Sequence, residues 1–455
     1  MNTRSRWIAV AVLLFAASVV SAQTTYTWNQ TGSADWQVST NWTPTRTTPA
    51  NNDVLVFNNG ATTTATNVPT QIIGQLSVSG NTTTNLQSAG AVTVTISGGA
   101  GTDLSVAAGS QLNFGATVAA NAITMAVATG ATGSISGSMT FTGVTNTAHR
   151  LTSVDASSMT FQSGSVFTAG TGSGGNAFGT TNLNSVIFAN GSTFVQIAGS
   201  NPFGAGQPSS VVVFQTGSLY KSQGTTPAFS GRTYANFELV SGTASVNGTA
   251  AVSIDNLTVT AGTLNWGMTT TVGHAIKGNI SVAAGATLNF NPSTAGSTVN
   301  LNGSTAQTIT NSGTLTFGAN QTINVNNANG ITLNSDATLN GPLTLTSGNI
   351  TVTSPKTLSI SATGSVTHTS GHVIGNLKQT YAAAGSKTFH VGTANGYSPV
   401  TANVTAGTGD LTVSATQSVE PNVPATTSLL RYWTLAATGI TSADLTFQYL
   451  AGDVQ

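Results

Sequence analysis

Short runs in which every second residue is apolar recur along most of this chain, separated by small residues and glycine. The clearest run is 104–115, LSVAAGSQLNFG, in which Leu104 and Val106 precede the corner and Leu112 and Phe114 follow it. A period of two puts alternate side chains on opposite faces of a strand. The segment therefore predicts two strands of about three to five residues around a glycine corner.

A near-copy of this segment, ISVAAGATLNFN, returns far along the chain, at 280–291. Looser copies begin at Met159, Val186, Val212, Leu257, Leu315, Ile331, Leu343 and Leu358. Self-similarity of this kind is typical of an architecture that stacks one small unit many times. The repeat therefore predicts a stacked, repetitive fold.

Two all-β architectures use short strands with glycine corners: a sandwich of hairpins and a stacked solenoid. Hairpins favour two-residue turns between longer strands, whereas this pattern continues over 76–370, which is long for one sandwich. We therefore expect a right-handed parallel β-helix. At roughly 20 residues a coil and ~4.8 Å a layer, about 15 coils would form a rod near 70 Å long.

Charge and cysteine are both scarce. Charged residues make up 5% of the chain and there is no cysteine, so an apolar core and backbone hydrogen bonds must stabilise the fold without disulfides. Without Arg4 and Arg6, 9 basic side chains (11 − 2) face 11 acidic ones. This balance disfavours nucleic acid and anionic membranes as partners, because both select for clustered Lys and Arg.

The segment 1–22 has the features of an export signal. Two arginines precede the apolar stretch 7–20, and Val20-Ser21-Ala22 offers small residues before a cleavage point at Gln23. The apolar stretch is too short for a comfortable membrane span. We expect 1–22 to be a signal peptide and the mature chain to be secreted to the cell surface without membrane insertion.

Aromatic residues concentrate at the start of the mature chain. Trp28, Trp36 and Trp42 lie in segment 23–75, before the main repeats. Large aromatic side chains cover the end of a repeat array well, so we expect an N-terminal cap. The alternative is a carbohydrate-binding platform on which these three indoles stack against sugar rings.

The two ends also carry family resemblances. The tryptophan pattern over 23–60 resembles the opening of secreted bacterial β-repeat proteins, of the adhesin and autotransporter-passenger kind. Segment 371–455, with GHVIGNL and FHVGTANGYSPV, resembles the part that follows the repeats in Bacteroidetes-type surface proteins. Its longer alternating strands predict a β-sandwich-like module, which we expect to be incomplete in a fragment of a longer protein.

Motifs that would carry chemistry are weak. The segment 98–103, GGAGTD, matches the start of a calcium-binding nonapeptide only once, so a corner turn is the favoured interpretation. Segment 170–175 satisfies G-x-G-x-x-G but precedes no helix, and His368 and His372 lack helical surroundings. We expect neither a cofactor nor a metal site.

A polysaccharide lyase or glycosidase would need clustered acidic residues. Here the acidic residues are scattered along the sequence. The best candidates for a catalytic acid with a basic neighbour are Asp155 with Arg150 and Glu238 with Arg232, but each pair could equally be an ordinary surface ion pair. The sequence thus favours a non-catalytic surface stalk or adhesin that presents a polar wall to glycans or other cell-surface components. A tryptophan-based carbohydrate-binding module and a β-helix enzyme are the alternatives.

Overall fold

The computed structural model of the protein describes residues 23–269, 273–424 and 427–455. Strands hold 51% of the residues and helices 1%, and parallel coils stack into a solenoid of about 13 turns. The predicted all-β solenoid is therefore confirmed. The predicted signal peptide, 1–22, lies outside the described residues.

The described residues form 45 strands, of which the first 21 build the N-terminal half. They are β1 Thr25–Trp28, β2 Gly32–Asp35, β3 Trp42–Thr43, β4 Val54–Phe57, β5 Thr62–Thr66, β6 Gln71–Ile73, β7 Gln75–Val78, β8 Thr83–Gln87, β9 Val92–Ile96, β10 Leu104–Val106, β11 Gln111–Gly115, β12 Ile123–Val127, β13 Gly133–Ile135, β14 Ser138–Phe141, β15 Arg150–Ser153, β16 Met159–Phe161, β17 Val166–Ala169, β18 Val186–Phe188, β19 Thr193–Gln196, β20 Val212–Phe214 and β21 Leu219–Gln223. A 3₁₀ turn, Ser39–Asn41, precedes β3.

The remaining strands build the C-terminal half. They are β22 Thr233–Ser241, β23 Thr243–Gly248, β24 Ser253–Val259, β25 Thr263–Met268, β26 His274–Ile276, β27 Ile280–Val282, β28 Thr287–Phe290, β29 Ser297–Leu301, β30 Gln307–Asn311, β31 Thr314–Phe317, β32 Gln321–Asn326, β33 Ile331–Leu333, β34 Ala337–Leu339, β35 Pro342–Ser347, β36 Ile350–Val352, β37 Thr357–Ile360, β38 Ser365–His368, β39 Val373–Ile374, β40 Asn376–Tyr381, β41 Gly385–Phe389, β42 Val391–Thr393, β43 Gly396–Tyr397, β44 Val400–Thr416 and β45 Tyr432–Phe447. A second 3₁₀ turn, Ala451–Asp453, follows β45.

Three parallel sheets form the walls of the N-terminal half. Sheet I has nine strands in the order β20-β18-β16-β13-β10-β7-β4-β1-β3, and sheet III has four, β15-β12-β9-β6. Sheet II runs from β2 through β5, β8, β11, β14, β17, β19 and β21 to β22. Each coil contributes one strand to a sheet, so equivalent residues of successive coils lie side by side.

The cross-section of the solenoid changes in the middle of the chain. Sheet III ends at β15 and sheet I ends at β20, while a new sheet IV begins at β23. Sheet II continues through β24, which pairs with both β26 and β27 and so divides into two columns. The last strand of sheet I is consequently an edge strand inside the length of the rod.

Coil length also varies along the chain. In the first half Leu104 lies beside Leu76 of the preceding coil, whereas near the other end Val352 lies beside Leu333, which is much closer in sequence. The whole solenoid has about 13 turns, fewer than the roughly 15 that a uniform coil of roughly 20 residues predicts for 76–370 alone, because the coils of the first half are longer. Parallel layers about 4.8 Å apart then give a rod of about 60 Å.

The repeated phrase forms the predicted strand, corner and strand. Leu104, Val106, Leu112 and Phe114 are all buried, and Gly109 has a φ of +79°. Residues with a Cβ adopt this left-handed conformation only with strain, which explains the glycine at the corner. In the copy at 280–291, Gly285 has a φ of +78°. The alternation thus specifies which side chains fill the core.

Aromatic side chains stack in columns along the axis of the core. In sheet II the ring of Phe167 lies 5.7 Å from that of Phe194, which in turn lies 5.3 Å from that of Tyr220. In sheet I the rings of Phe161 and Phe188 are nearly parallel, with centroids 4.5 Å apart. These offsets suit aromatic pairs, and the columns join successive coils through their side chains as well as their backbones.

The parallel stacking begins earlier than the expected boundary at 76. Strand β1 already pairs in parallel with β4, and β4 pairs with β7. Within 23–75, only β3 has the role of a cap, because it lies antiparallel on β1 at the end of sheet I. The predicted N-terminal segment is thus a short cap followed by regular coils.

The expected boundary at 371 also falls inside the solenoid. Strands β39 and β40 still pair in parallel with β36 and β37. The long strand β44 then pairs antiparallel with β40, β41 and β45. The strands of 371–455 are therefore continuous with the solenoid sheets, which end in antiparallel pairing.

Candidate functional site

The three N-terminal tryptophans form one buried cluster. Trp28 is 0% exposed, and Trp36 and Trp42 are each 1% exposed. The Trp42 ring lies 4.9 Å from that of Trp28 and 5.1 Å from that of Trp36, in edge-to-face geometry. Trp28 Nε1 donates to Thr63 Oγ1 and Trp42 Nε1 donates to the Trp36 carbonyl oxygen. No ring face is open to a sugar, so this geometry contradicts the carbohydrate-binding assignment of these residues.

Two of the five histidines belong to the core. His149 and His274 are both 0% exposed, and the Nδ1 of each ring accepts a hydrogen bond from a backbone N–H, of Ile123 and Val252 respectively. Burial lowers the pKa of both rings from 6.5 to about 4. They are therefore neutral packing elements at physiological pH.

The other histidines gather near the C-terminal end of the solenoid. The rings of His368 and Tyr397 stack with centroids 4.1 Å apart, and His390 Nδ1 lies 2.6 Å from the Tyr397 hydroxyl oxygen. Burial lowers the pKa of His390 to about 4. Across 23–269, 273–424 and 427–455, no group of three or more acidic, histidine or cysteine side chains could hold a metal ion.

The calcium-like segment is a corner turn. Asp103 Oδ1 accepts hydrogen bonds from Gly99 N and Gln75 Nε2, and its Oδ2 accepts one from Thr132 N at 2.7 Å. Asp103 is 2% exposed, so its carboxylate oxygens bind neighbouring N–H groups and are not presented to a cation.

The other glycine motif, 170–175, follows β17 as a loop and packs closely on the preceding coil. A Cβ on Gly172 would lie 2.3 Å from the Thr142 carbonyl oxygen.

The two acid–base pairs expected from sequence do not form. Asp155 Oδ2 accepts from Gly130 N, and Arg150 donates to the His149 carbonyl oxygen. Glu238 instead pairs across coils with Lys221, at 3.3 Å. In parallel coils the residue beside Glu238 is the one in register with it, not the nearest cation along the sequence.

Outward side chains of neighbouring coils form polar ladders on the walls. On sheet IV, Thr243, Thr263, Thr287 and Thr314 occupy one row, and Ser245, Asn265, Asn289 and Thr316 occupy the next. Asn265 Nδ2 donates to Ser245 Oγ at 3.3 Å, and the Thr316 hydroxyl donates to Asn289 Oδ1. The rungs repeat at the strand spacing of about 4.8 Å, so the wall presents evenly spaced hydroxyl and amide groups.

A groove of about 580 Å³ crosses another ladder, made of Asn236, Asn256 and Asn279. Asn256 Nδ2 donates to Asn236 Oδ1 at 2.7 Å, and Asn256 Oδ1 accepts from Asn279 N at 2.7 Å. Asp255 and Lys277 also line the groove. Burial raises the pKa of Asp255, and the charge of Lys277 opposes this rise. The groove thus combines amides with one charge of each sign.

This groove was not recognisable from the sequence. Asn236, Asn256 and Asn279 are unevenly spaced along the chain, so only the unequal coil lengths bring them into one row. The asparagines also resemble the many other outward polar residues of the repeats. The signal that would have found them is the register of the strands, which an irregular repeat does not reveal.

Comparisons with known proteins add no assignment. The chain matches no protein-family model, and searches among curated proteins and solved structures found no similar protein. Within the described part of the chain, no helix has the length and apolar character needed to cross a membrane. Functional inference therefore depends on the walls and clefts themselves.

Proposed function

We propose that this protein is a secreted, non-catalytic stalk or adhesin of a bacterial cell surface that makes weak, multivalent contacts with neutral glycans. The observation that carries this proposal is the groove of about 580 Å³ lined by the Asn236, Asn256 and Asn279 ladder. Amides arrayed at a fixed spacing suit the hydroxyl groups of a sugar chain. Repetition along the rod would raise the avidity of individually weak contacts.

The charge of the groove favours a neutral ligand. Lys277 and Asp255 contribute one positive and one negative side chain, and the described lining is otherwise made of Asn, Ser, Thr, Gly and Ala. Binding that depends on amide and hydroxyl groups is weakly screened by salt. We therefore expect retention on neutral polysaccharide to change little with ionic strength.

The enzyme alternative has less support. Asp155 and Glu238, the acids of the two expected pairs, bond to the Gly130 backbone and to Lys221 respectively. Asp255 lines the groove without a second carboxylate among its lining residues. Acid–base cleavage of a glycosidic bond would need a partner for it. The tryptophan-platform alternative is not retained because those rings are buried.

The test is affinity electrophoresis of the full chain through gels that contain neutral polysaccharides. Asn256→Ala should reduce retention, because it removes the central amide of the ladder. Asn324→Ala is the comparison variant: Asn324 makes a similar amide bond, to Asn300, outside the groove, so its loss should reduce retention less. Equal retention of both variants and the wild type, or release of shortened sugars by the wild type, would contradict the proposal.

A further inference from the structure

A second cleft lies where sheet I ends, against its edge strand β20. It has a volume of about 390 Å³ and is lined by β20, by the loop around Phe203 and Ser209, and by Arg232 and Thr233. The cleft exists because no strand of the next coil continues sheet I beyond β20. It is separate from the asparagine groove, with which it shares no lining residue.

Arg232 is the unusual residue of this cleft. Three arginines of the described chain are buried, and two have a carboxylate partner: Arg46 pairs with Asp53 at 2.7 Å and Arg431 with Asp453 at 2.6 Å. Arg232 is 8% exposed, and no described Asp or Glu pairs with it. Buried cations usually have an anionic partner, because removing charge from water is costly.

The guanidinium is held in place but incompletely bonded. One terminal nitrogen donates to the Ser209 carbonyl oxygen at 2.6 Å and the other to the Ala205 carbonyl oxygen at 2.7 Å. Its carbon lies 4.8 Å from the centre of the Phe203 ring, and Nε has no hydrogen-bond partner. A guanidinium has five N–H donors, so its capacity exceeds the bonds it makes here. It is thus a fixed cation with neutral hydrogen-bond acceptors and no described carboxylate partner.

We propose that this cleft binds an acidic sugar, with the carboxylate of the sugar paired to Arg232. A planar carboxylate matches the donor geometry of a guanidinium better than a hydroxyl does. Ser209, Ser210 and Asn184 supply polar groups for sugar hydroxyls, and Leu183, which is 45% exposed, supplies an apolar surface for the ring. The volume falls within the range of small-ligand pockets, roughly 300–1,000 Å³.

This site is independent of the proposed wall function. The asparagine groove would take neutral chains with little dependence on salt, whereas a carboxylate on Arg232 forms an ion pair that salt weakens. Failure of one proposal therefore leaves the other standing. Together they would give the rod two chemically distinct sugar sites.

The experiment is isothermal titration calorimetry of the full chain with glucuronate at low ionic strength, with glucose and acetate as comparison ligands. Glucuronate should bind at least about tenfold more tightly than either, a difference of ~1.4 kcal/mol. Arg232→Met should abolish this preference. Arg150→Met is the control, because Arg150 is a part-buried arginine that bonds a backbone carbonyl outside the cleft.

A second variant separates binding from folding. Arg232 bonds two carbonyl groups, so its loss also changes the loop, whereas Thr233 is an exposed residue of the cleft. Thr233→Trp should fill the cleft, keep the guanidinium and weaken glucuronate binding by about tenfold or more. The proposal is overturned if Thr233→Trp binds glucuronate like the wild type, if acetate binds equally well, or if the wild type shows no binding at millimolar glucuronate.

Discussion

Replacing Trp42 with alanine tests whether the N-terminal aromatic cluster holds the capping strand β3 on the first coil. The Trp42 ring contacts those of Trp28, Trp36 and Phe57, with centroids 4.9, 5.1 and 5.6 Å apart. Its Nε1 also donates to the Trp36 carbonyl oxygen at 2.9 Å. Truncation of a buried tryptophan costs about 3–5 kcal/mol, and the lost hydrogen bond adds about 1 kcal/mol.

We expect this loss to be local. Each coil of a solenoid contacts only its neighbours, so the end coil can open while the others stay folded. Amide hydrogen exchange should therefore accelerate in β1 and β4 and stay unchanged in β28. Trp266→Ala is the matched control, because Trp266 is also 0% exposed and packs on Phe229 and Phe290 in the middle of the rod.

If the tryptophans serve only to cap the first coil, their loss should not affect polysaccharide binding directly. Trp42→Ala should retain polysaccharide binding at temperatures where the remaining coils are folded. The reasoning would be refuted if Trp42→Ala had wild-type exchange rates and melting temperature but lost glycan binding. That outcome would mean that the indoles leave the core to stack on sugars.

Two further predictions concern the corners and the core histidines. Gly262→Ala should destabilise the protein by ~2 kcal/mol more than Gly285→Ala in urea unfolding. Both corners have positive φ, but a Cβ added at 262 would lie 2.0 Å from the Gly242 carbonyl oxygen, whereas a Cβ added at 285 would have no heavy atom within 4 Å. Equal losses of stability would show that the backbone of the corner shifts to make room for the Cβ. The pKa of His149 and of His274 falls from 6.5 to about 4 on folding, so the unfolded chain binds more protons in this window and stability should drop as pH falls from 6.5 to 4, by at most about 3 kcal/mol for each ring. Urea unfolding across that window should show the drop, and His274→Gln should reduce it; a flat profile would contradict the assignment of the rings as buried and neutral.

The alternating pattern predicted the local structure and the core with little error. Leu104, Val106, Leu112 and Phe114 are buried, and Gly109 forms the corner, because these properties depend only on residues a few positions apart. The termination of sheet I at β20 was not predictable in the same way. The repeats that begin at Val212 and Leu257 have the same apolar and glycine pattern. The first contributes the last strand of sheet I, however, and the second lies beyond the end of that sheet.

The polar sites depend on contacts between coils, and this limited what the sequence could reveal. Proximity along the sequence pairs Arg232 with Glu238, its nearest acidic residue, but Glu238 lies in register with Lys221. The guanidinium of Arg232 instead bonds carbonyl groups of the preceding coil, far from it along the sequence. Coil length changes from the long step that pairs Leu104 with Gly133 to the short one that pairs Leu333 with Val352, so the repeat alone leaves such register undetermined.

An antiparallel strand lies on the edge of one sheet near each end of the solenoid. Parallel coils expose at each end a template on which another coil, or another molecule, can continue the hydrogen bonding. Here β3 reverses direction on β1, and β44 reverses direction on β40. A parallel coil of another molecule would not continue the register at these two edges, so the reversals disfavour head-to-tail stacking on sheets I and IV.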